Sequence, residues 1–380
     1  MKTFKIICSV AGALALAAIL FACNRKPSDN KPTVTVGAIL PLTGDAAAYG
    51  FSARKGIDLA LATYSKASTN SSRISVVYED DRGDAKSGVN AFNKLVDVDG
   101  VKAAIGAMAS SITLAIAPVA ERKHVVLISP ASSAPEISSA GDFIFRTAYS
   151  DEYEGTVLAS YAVKELRLKT FAILRSDNAY GKGLSDQFVK TASALGATVL
   201  VSDKFAQGGT EFRTQLLKIK TLQPSAVLII GYKELSNILI QASQLGLHSQ
   251  FLSSVMFEDP DVIRLAGEAA NGVVYTFPAY NSASTNASVH NFVTAYRNAY
   301  GKDPDVYAAL SYDAADLVFA AIARVGNSAD KIRDYLYGVK DFQGATGGIT
   351  FDKNGDVIKD LGIKALRQGR FIWLNDAYRQ

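Results

Sequence analysis

Residues with the chemistry for catalysis or metal binding are few in this chain and far apart. The two cysteines, Cys8 and Cys23, both fall near the N-terminus, and the three histidines, His124, His248 and His290, are scattered. No disulfide framework and no cysteine-based zinc or iron–sulfur site can be built in the body from that set, and a histidine metal site has little support. The sequence also lacks G-x-x-x-x-G-K-[ST], G-x-S-x-G and H-E-x-x-H. Lys182, in Gly181-Lys182-Gly183, has no upstream glycine of the kind a phosphate loop needs, and Gly83-Asp84-Ala85-Lys86-Ser87-Gly88 reads as a loop and a helix start. No histidine sits beside an obvious nucleophile. The pattern points away from an enzyme, a cofactor or a metal. What remains are hydroxyls and rings at turns: Ser110 and Ser111, Ala131 and Ser133, and the tyrosines Tyr49, Tyr180 and Tyr232. Helix N-termini present unpaired N–H groups and a positive dipole end, so strand-to-helix turns suit an anion. Ser110 or Ser111 equally suits a plain N-cap, and a tyrosine after a buried strand equally suits a core.

The elements that position these residues alternate. VTVGAIL (34–40) is a short apolar run ending in a Pro-Leu-Thr-Gly turn, and residues 50–64 follow with Ile57, Leu61 and Tyr64 on one helical face. Strand 74–80, helix 85–96, strand 103–107, helix 111–121 and strand 125–129 continue the rhythm. It restarts after residue 150, with helices at 154–164, 182–195, 211–219 and 235–245 between strands at 170–176, 198–205, 226–231 and 250–255. Buried Val/Ile/Ala runs separated by helices indicate parallel sheets covered on both faces. Two successive units of this kind predict an α/β protein of two doubly wound, Rossmann-like lobes with a central cleft at the carboxyl ends of the strands. Helices at 288–300, 307–325 and 329–337 are expected to complete the first lobe. Residues 347–374, with Asn354-Gly355, read as strand, turn and strand.

The 380 residues suggest two domains, and 48% hydrophobic content with 20% charge is ordinary for a globular chain. A net charge of +4, evenly spread, gives no sign of nucleic-acid binding. Lys2 and Lys5 precede an uncharged run, 6–22, that ends in Leu20-Phe21-Ala22-Cys23. This resembles a bacterial lipobox, with Phe21 bulkier than the usual residue, and makes Cys23 the expected lipidation site. Asn24 in place of Asp leans toward the outer membrane. The expected organisation is a lipoprotein signal peptide at 1–22, a tether at 23–32, one lobe from 33–149 with 279–359, and a second from 150–278 with 360–380.

Several segments, in order and at matching spacing, resemble the periplasmic leucine/isoleucine/valine-binding protein family, the type I solute-binding proteins of ABC importers. They are VGAILPLTGDAAAYG (36–50), YEDDRGD (78–84), IGAMASS (105–111), ISPASSAPEI (128–137), FRTAYSD (145–151), NAYGKG (178–183) and ITFDKNGD (349–356). The resemblance covers about 33–375. It implies a periplasmic, lipid-anchored, monomeric protein that closes over a small amino acid or organic acid and docks on a permease, without cofactor. It also implies ligand contacts from Tyr49, Ala109, Ser110, Ala131 and Ser133 in the first lobe, with Met108 beside them, and from Tyr180 and Tyr232 in the second. One departure stands out. The family's acidic residue for the ligand ammonium falls on Val255, so Glu258, or Asp259, is the candidate substitute. If neither enters the cleft, the ligand is expected to be a carboxylate without an amine, with Phe257 packing on it. A ligand sensor or cell-envelope protein on the same two lobes is the alternative reading.

Overall fold

The computed structural model describes residues 33–67, 72–278 and 280–374. The expected signal peptide at 1–22 and the expected tether at 23–32, with Cys23, lie outside them. Strands β1 (Thr33–Leu40), β2 (Arg73–Asp80), β3 (Ala103–Ile105), β4 (Val126–Ser129) and β5 (Ile144–Arg146) form an all-parallel sheet in the order β2-β1-β3-β4-β5. Helices α1 (Ala47–Ala67), α2 (Ala85–Asp97) and α3 (Ser110–Lys123) make the crossovers. The strands are continuous apolar runs because helices cover both faces, with Val36, Ala38, Ile105 and Ile128 packed on one side and Ile39, Ala104 and Leu127 on the other.

After α4 (Asp151–Ser160) the same winding repeats. Strands β6 (Thr170–Ser176), β7 (Thr198–Phe205), β8 (Ala226–Ile230), β9 (Gln250–Ser253) and β10 (Val274–Pro278) lie in the order β7-β6-β8-β9-β10. Helices α5 (Ala179–Ala194), α6 (Arg213–Leu222), α7 (Glu234–Gln244) and α8 (Pro260–Ala266) connect them. Each sheet therefore places its second strand outside its first and its third on the opposite side. That reversal leaves a crevice at the carboxyl ends of the first and third strands, where ligands of open α/β sheets bind.

Helices α9 (Ala287–Tyr300), α10 (Val306–Val325) and α11 (Ala329–Tyr337) follow. Helix α10 is long and apolar enough to cross a membrane, but 72% of its most apolar stretch is buried. It lies so close to α1 that a Cβ on Gly56 would stand 2.1 Å from the Ala308 carbonyl oxygen, which only glycine permits.

The C-terminal region differs from the single strand–turn–strand expected of 347–374. Strands β11 (Phe342–Gly344) and β12 (Gly347–Ile349) form their own hairpin, while β13 (Leu361–Arg367) and β14 (Arg370–Trp373) add antiparallel to β10, making the second sheet seven-stranded. The Asn354-Gly355 turn lies between these hairpins and closes only an isolated antiparallel bridge, Phe351–Val357, which belongs to none of the named strands. The Gly355 carbonyl accepts the Arg146 N–H at 3.1 Å, and the next residue, Asp356, takes the Arg146 guanidinium at 2.7 and 2.9 Å. An ion pair with the end of β5 thus fixes the turn.

Candidate functional site

The crevices of the two sheets face one another across a cavity of about 400 Å³, near the lower end for ligand pockets. From the first sheet, loops after β1, β3 and β4 bring Tyr49, Met108, Ala109, Ser110, Ala131 and Ser133; from the second, loops after β6 and β8 bring Tyr180 and Tyr232.

Hydrogen bonds among their own polar atoms hold the first-sheet loops. Gly106, at φ +133°, has no room for a Cβ, which would stand 2.2 Å from the Ile39 carbonyl oxygen. The Ala107 carbonyl accepts the hydroxyls of Ser129 at 2.6 Å and Ser132 at 3.1 Å, and Ser132 also meets the Thr113 hydroxyl at 2.8 Å. The next loop docks on Ser110, whose Oγ accepts the N–H groups of Ser133 at 3.0 Å and Ala134 at 3.1 Å. A serine hydroxyl has one hydrogen and two acceptor positions. Both acceptor positions are thus filled by backbone donors, and the Ser110 hydrogen is left for an acceptor in the cavity. Ser110 is the first residue of α3, and Ala109 at the N-cap offers no side-chain bond, so the positive end of this helix is uncapped. Ser110 is therefore not an N-cap. Arg146, fully buried, braces the same loop from behind by donating to the Ala134 carbonyl at 2.9 Å and the Ser138 hydroxyl at 2.7 Å.

Aromatic rings form much of the wall. Tyr49 stands edge-on to Tyr307 with centroids 5.1 Å apart, and Tyr180 lies 5.7 Å from Tyr232. The Tyr49 hydroxyl donates across the cleft to the Asp259 carboxylate, and the Tyr180 hydroxyl meets the Ser254 hydroxyl. Tyr307 donates to the Met256 sulfur at 2.8 Å, while the buried Tyr149 hydroxyl has no protein partner. Burial raises the pKa of each of these five tyrosines above the ordinary value, so all stay protonated at neutral pH.

Two expected residues do not reach the cavity. The chain after β9 enters a tight 3₁₀ turn at Val255–Glu258. Phe257 is fully buried within the second lobe, 5.0 Å from the Tyr275 ring, and is core. Glu258 turns onto β10 and β13, where it meets Lys364 at 2.8 Å and the Tyr275 hydroxyl at 2.6 Å. Those two partners are cross-strand neighbours on β13 and β10, so together they hold Glu258 away from the cleft. Asp259 caps α8 through the Asp261 N–H at 2.7 Å besides accepting from Tyr49. Val255 does line the cavity.

Sequence reasoning missed Tyr149, Glu154, Met256 and Tyr307, all on the wall. Tyr149 belongs to the segment 145–151 and Glu154 follows it by one turn of α4, so that motif carried a signal. Tyr307 had none, because it arrives from α10 far along the chain.

The wall carries four acids, Asp45, Asp81, Glu154 and Glu234, against one base, Lys233. Glu234 is occupied structurally, with its two oxygens accepting the N–H groups of Gly208 at 2.6 Å and Tyr232 at 2.9 Å. Asp81 accepts the Gly83 N–H at 2.8 Å through one oxygen, and burial pushes its pKa up to about 6. Glu154 accepts the Thr276 hydroxyl. Burial pushes it up to about 7, while that hydroxyl and the Val255 N–H act to lower it. Among the described residues no group of three or more His, Cys, Asp or Glu is arranged to hold a metal ion.

A family model described as periplasmic binding protein matches residues 33–369. The leucine-, isoleucine-, valine-, threonine-, and alanine-binding protein of Pseudomonas aeruginosa is 30% identical over 371 residues, 96% of this chain and 95% of its own. A solved leucine-binding protein, LivK from Thermotoga maritima, matches at TM-score 0.84 and 31% identity over 90% of this chain and 98% of its own. The branched-chain amino acid transporter substrate-binding protein LivJ from Streptococcus pneumoniae, solved in complex with isoleucine, matches at 0.82 and 26% over 89% and 97%.

Proposed function

Because this chain belongs to the periplasmic binding protein family, we propose that it is the extracytoplasmic solute-binding protein of an ABC importer and takes a small neutral amino acid between its lobes. The observation that carries the ligand class is Ser110. Its hydroxyl hydrogen is left free by two backbone donors, at an uncapped helix start, and so matches a carboxylate. The tyrosine walls suit an aliphatic body. The lobes, 33–149 with 279–359 and 150–278 with 360–380, close over the ligand, and the Tyr49–Asp259 hydrogen bond spans the closed cleft. Differential contacts in the closed form set that equilibrium, and the closed form docks on a membrane permease. Cys23 anchors the chain by acylation at the outer membrane.

Thermal unfolding of the purified chain with leucine, isoleucine, valine, threonine and alanine tests the ligand. A ligand at about 100 times its Kd adds about 2.7 kcal/mol, a shift of a few degrees. No shift with any of the five would refute the amino-acid reading. For the anchor, Cys23→Ser is expected to move the protein from the membrane to the soluble fraction, and its retention there would refute acylation.

A further inference from the structure

Val255 offers no charge to a ligand cation, and Glu258 and Asp259 are engaged elsewhere. The cavity nevertheless holds a buried carboxylate close to that valine, reached from another part of the chain. We propose that Glu154 binds the ammonium group of the ligand, so that the cleft takes a zwitterion and discriminates against the same carboxylic acid without its amine. This rests on the reading that the cavity binds a small carboxylate-bearing solute.

Four observations carry it. Glu154 lines the cavity and is 1% exposed, so it is not a solvated surface acid. Its polar partners are the Thr276 hydroxyl, the Val255 N–H and the neutral Asp151 carboxyl, donors that hold the carboxylate in place without giving it a counter-ion. No base stands beside it, since Lys233, the only basic residue of the wall, is 3.8 Å from Asp261. A buried carboxylate without a counter-ion is costly, and a ligand ammonium removes that cost. Lastly, the other acids of the wall are worse placed. Glu234 spends both oxygens on backbone donors, and Asp81, just after β2, is opposed by the neighbouring charges of Asp80 and Asp84. Glu154 instead lies among the rings of Tyr149, Tyr180 and Tyr307, each of which feels its charge. Asp151, one turn earlier on α4, is fully buried and is not part of the wall. Burial and the Glu154 charge push its pKa well up, so it is held as the neutral acid, and its hydrogen bond to Glu154 acts to keep that carboxylate ionised.

The test is calorimetric titration of the full chain, purified in detergent, with leucine and with 4-methylpentanoate, its amine-free counterpart. The wild type is expected to prefer leucine by 100-fold or more. Glu154→Gln keeps the shape and the acceptor for Thr276. It should weaken leucine at least 30-fold, leave 4-methylpentanoate within about threefold, and so collapse the preference; Glu154→Asp should fall between. Leucine binding by Glu154→Gln within threefold of wild type overturns the inference and leaves the amino-acid reading standing. A greater loss from Asp81→Asn than from Glu154→Gln also overturns it. Should Glu154→Gln not fold, the wild type still decides, because a preference below threefold is incompatible with an ammonium site. Failure of the wild type to bind either compound removes the underlying reading, and the inference with it.

Discussion

Replacing Ser110 by alanine separates a serine that builds the site from one that merely begins a helix. Its Oγ is the acceptor for two backbone donors, Ser133 N–H at 3.0 Å and Ala134 N–H at 3.1 Å, and all three residues are buried. Alanine removes the acceptor and opens little space, so both donors stay buried without a partner. Each such orphan costs about 1–3 kcal/mol. The loop cannot simply turn to water, since Ser132 remains tied to the Ala107 carbonyl and Arg146 to the Ala134 carbonyl. For the two together a loss of about 2–6 kcal/mol in unfolding free energy is expected. Ser111→Ala, one residue on and exposed, should stay within about 0.5 kcal/mol. Ser110→Ala also deletes the hydrogen offered to the ligand carboxylate. A hydrogen bond to a charged partner is worth about 1.5–3 kcal/mol, so leucine affinity should drop roughly 10- to 150-fold. Urea unfolding followed by circular dichroism reads the first effect and calorimetric titration the second. If Ser110→Ala is as stable as Ser111→Ala, the two N–H groups do not depend on the hydroxyl and the argument for its free hydrogen collapses.

Arg146→Ala should destabilise by about 3–5 kcal/mol in the same unfolding assay, because it strands Asp356 and the Ala134 carbonyl. Arg146→Lys should recover less than half of that, as an ammonium cannot match the fork of contacts; full recovery would contradict the geometry. Tyr49→Phe removes the hydroxyl that reaches Asp259 across the cleft, and should weaken leucine about tenfold in titration with little change in fold. The stability of the ligand-free protein should fall as pH rises from about 5 to 8. The ordinary Glu value is 4.5 and Glu154 sits at about 7 in the fold, so the folded state keeps a proton that the unfolded chain has lost. That contribution is complete below about 4.5 and gone once pH passes about 7. Asp151 on the same helix acts in the same direction, with Arg146 opposing it, so Glu154→Gln should flatten the thermal profile without levelling it.

The doubly wound architecture was legible because parallel strands buried on both faces have little choice but to be apolar runs. TFAILRS and AVLII announced β6 and β8 almost to the residue. Short strands were harder. Ile144–Arg146 is only three residues, and its identity depends on the Leu127, Ile128 and Ser129 backbone beside it, not on a pattern of its own. The C-terminal region misled because Asn-Gly is a strong hairpin signal. Here the turn is recruited by a buried charge pair between Arg146 and Asp356, 210 positions apart, which no local rule can foresee.

The candidate contacts divide along the same line. Ser110, Ser133, Tyr180 and Tyr232 follow strands directly, so their place at the two crevices is a consequence of strand order. Glu258 looked equally plausible on those grounds, being an acid shortly after β9. What removes it is Lys364, delivered by an antiparallel strand that a purely parallel reading of the lobe omits. Once that strand is in place, the loop after β9 has no acid to spare for the cleft. A buried cation site can then be built only from whatever other element passes Val255. Helix α4 does so, and its Glu154 is held beside the Val255 N–H. Proximity along the chain therefore points to Glu258, while proximity in space points to the acid we propose, which arrives about a hundred residues earlier. The charge a ligand needs is a property of the cavity, and several elements can supply it without altering the fold that frames it.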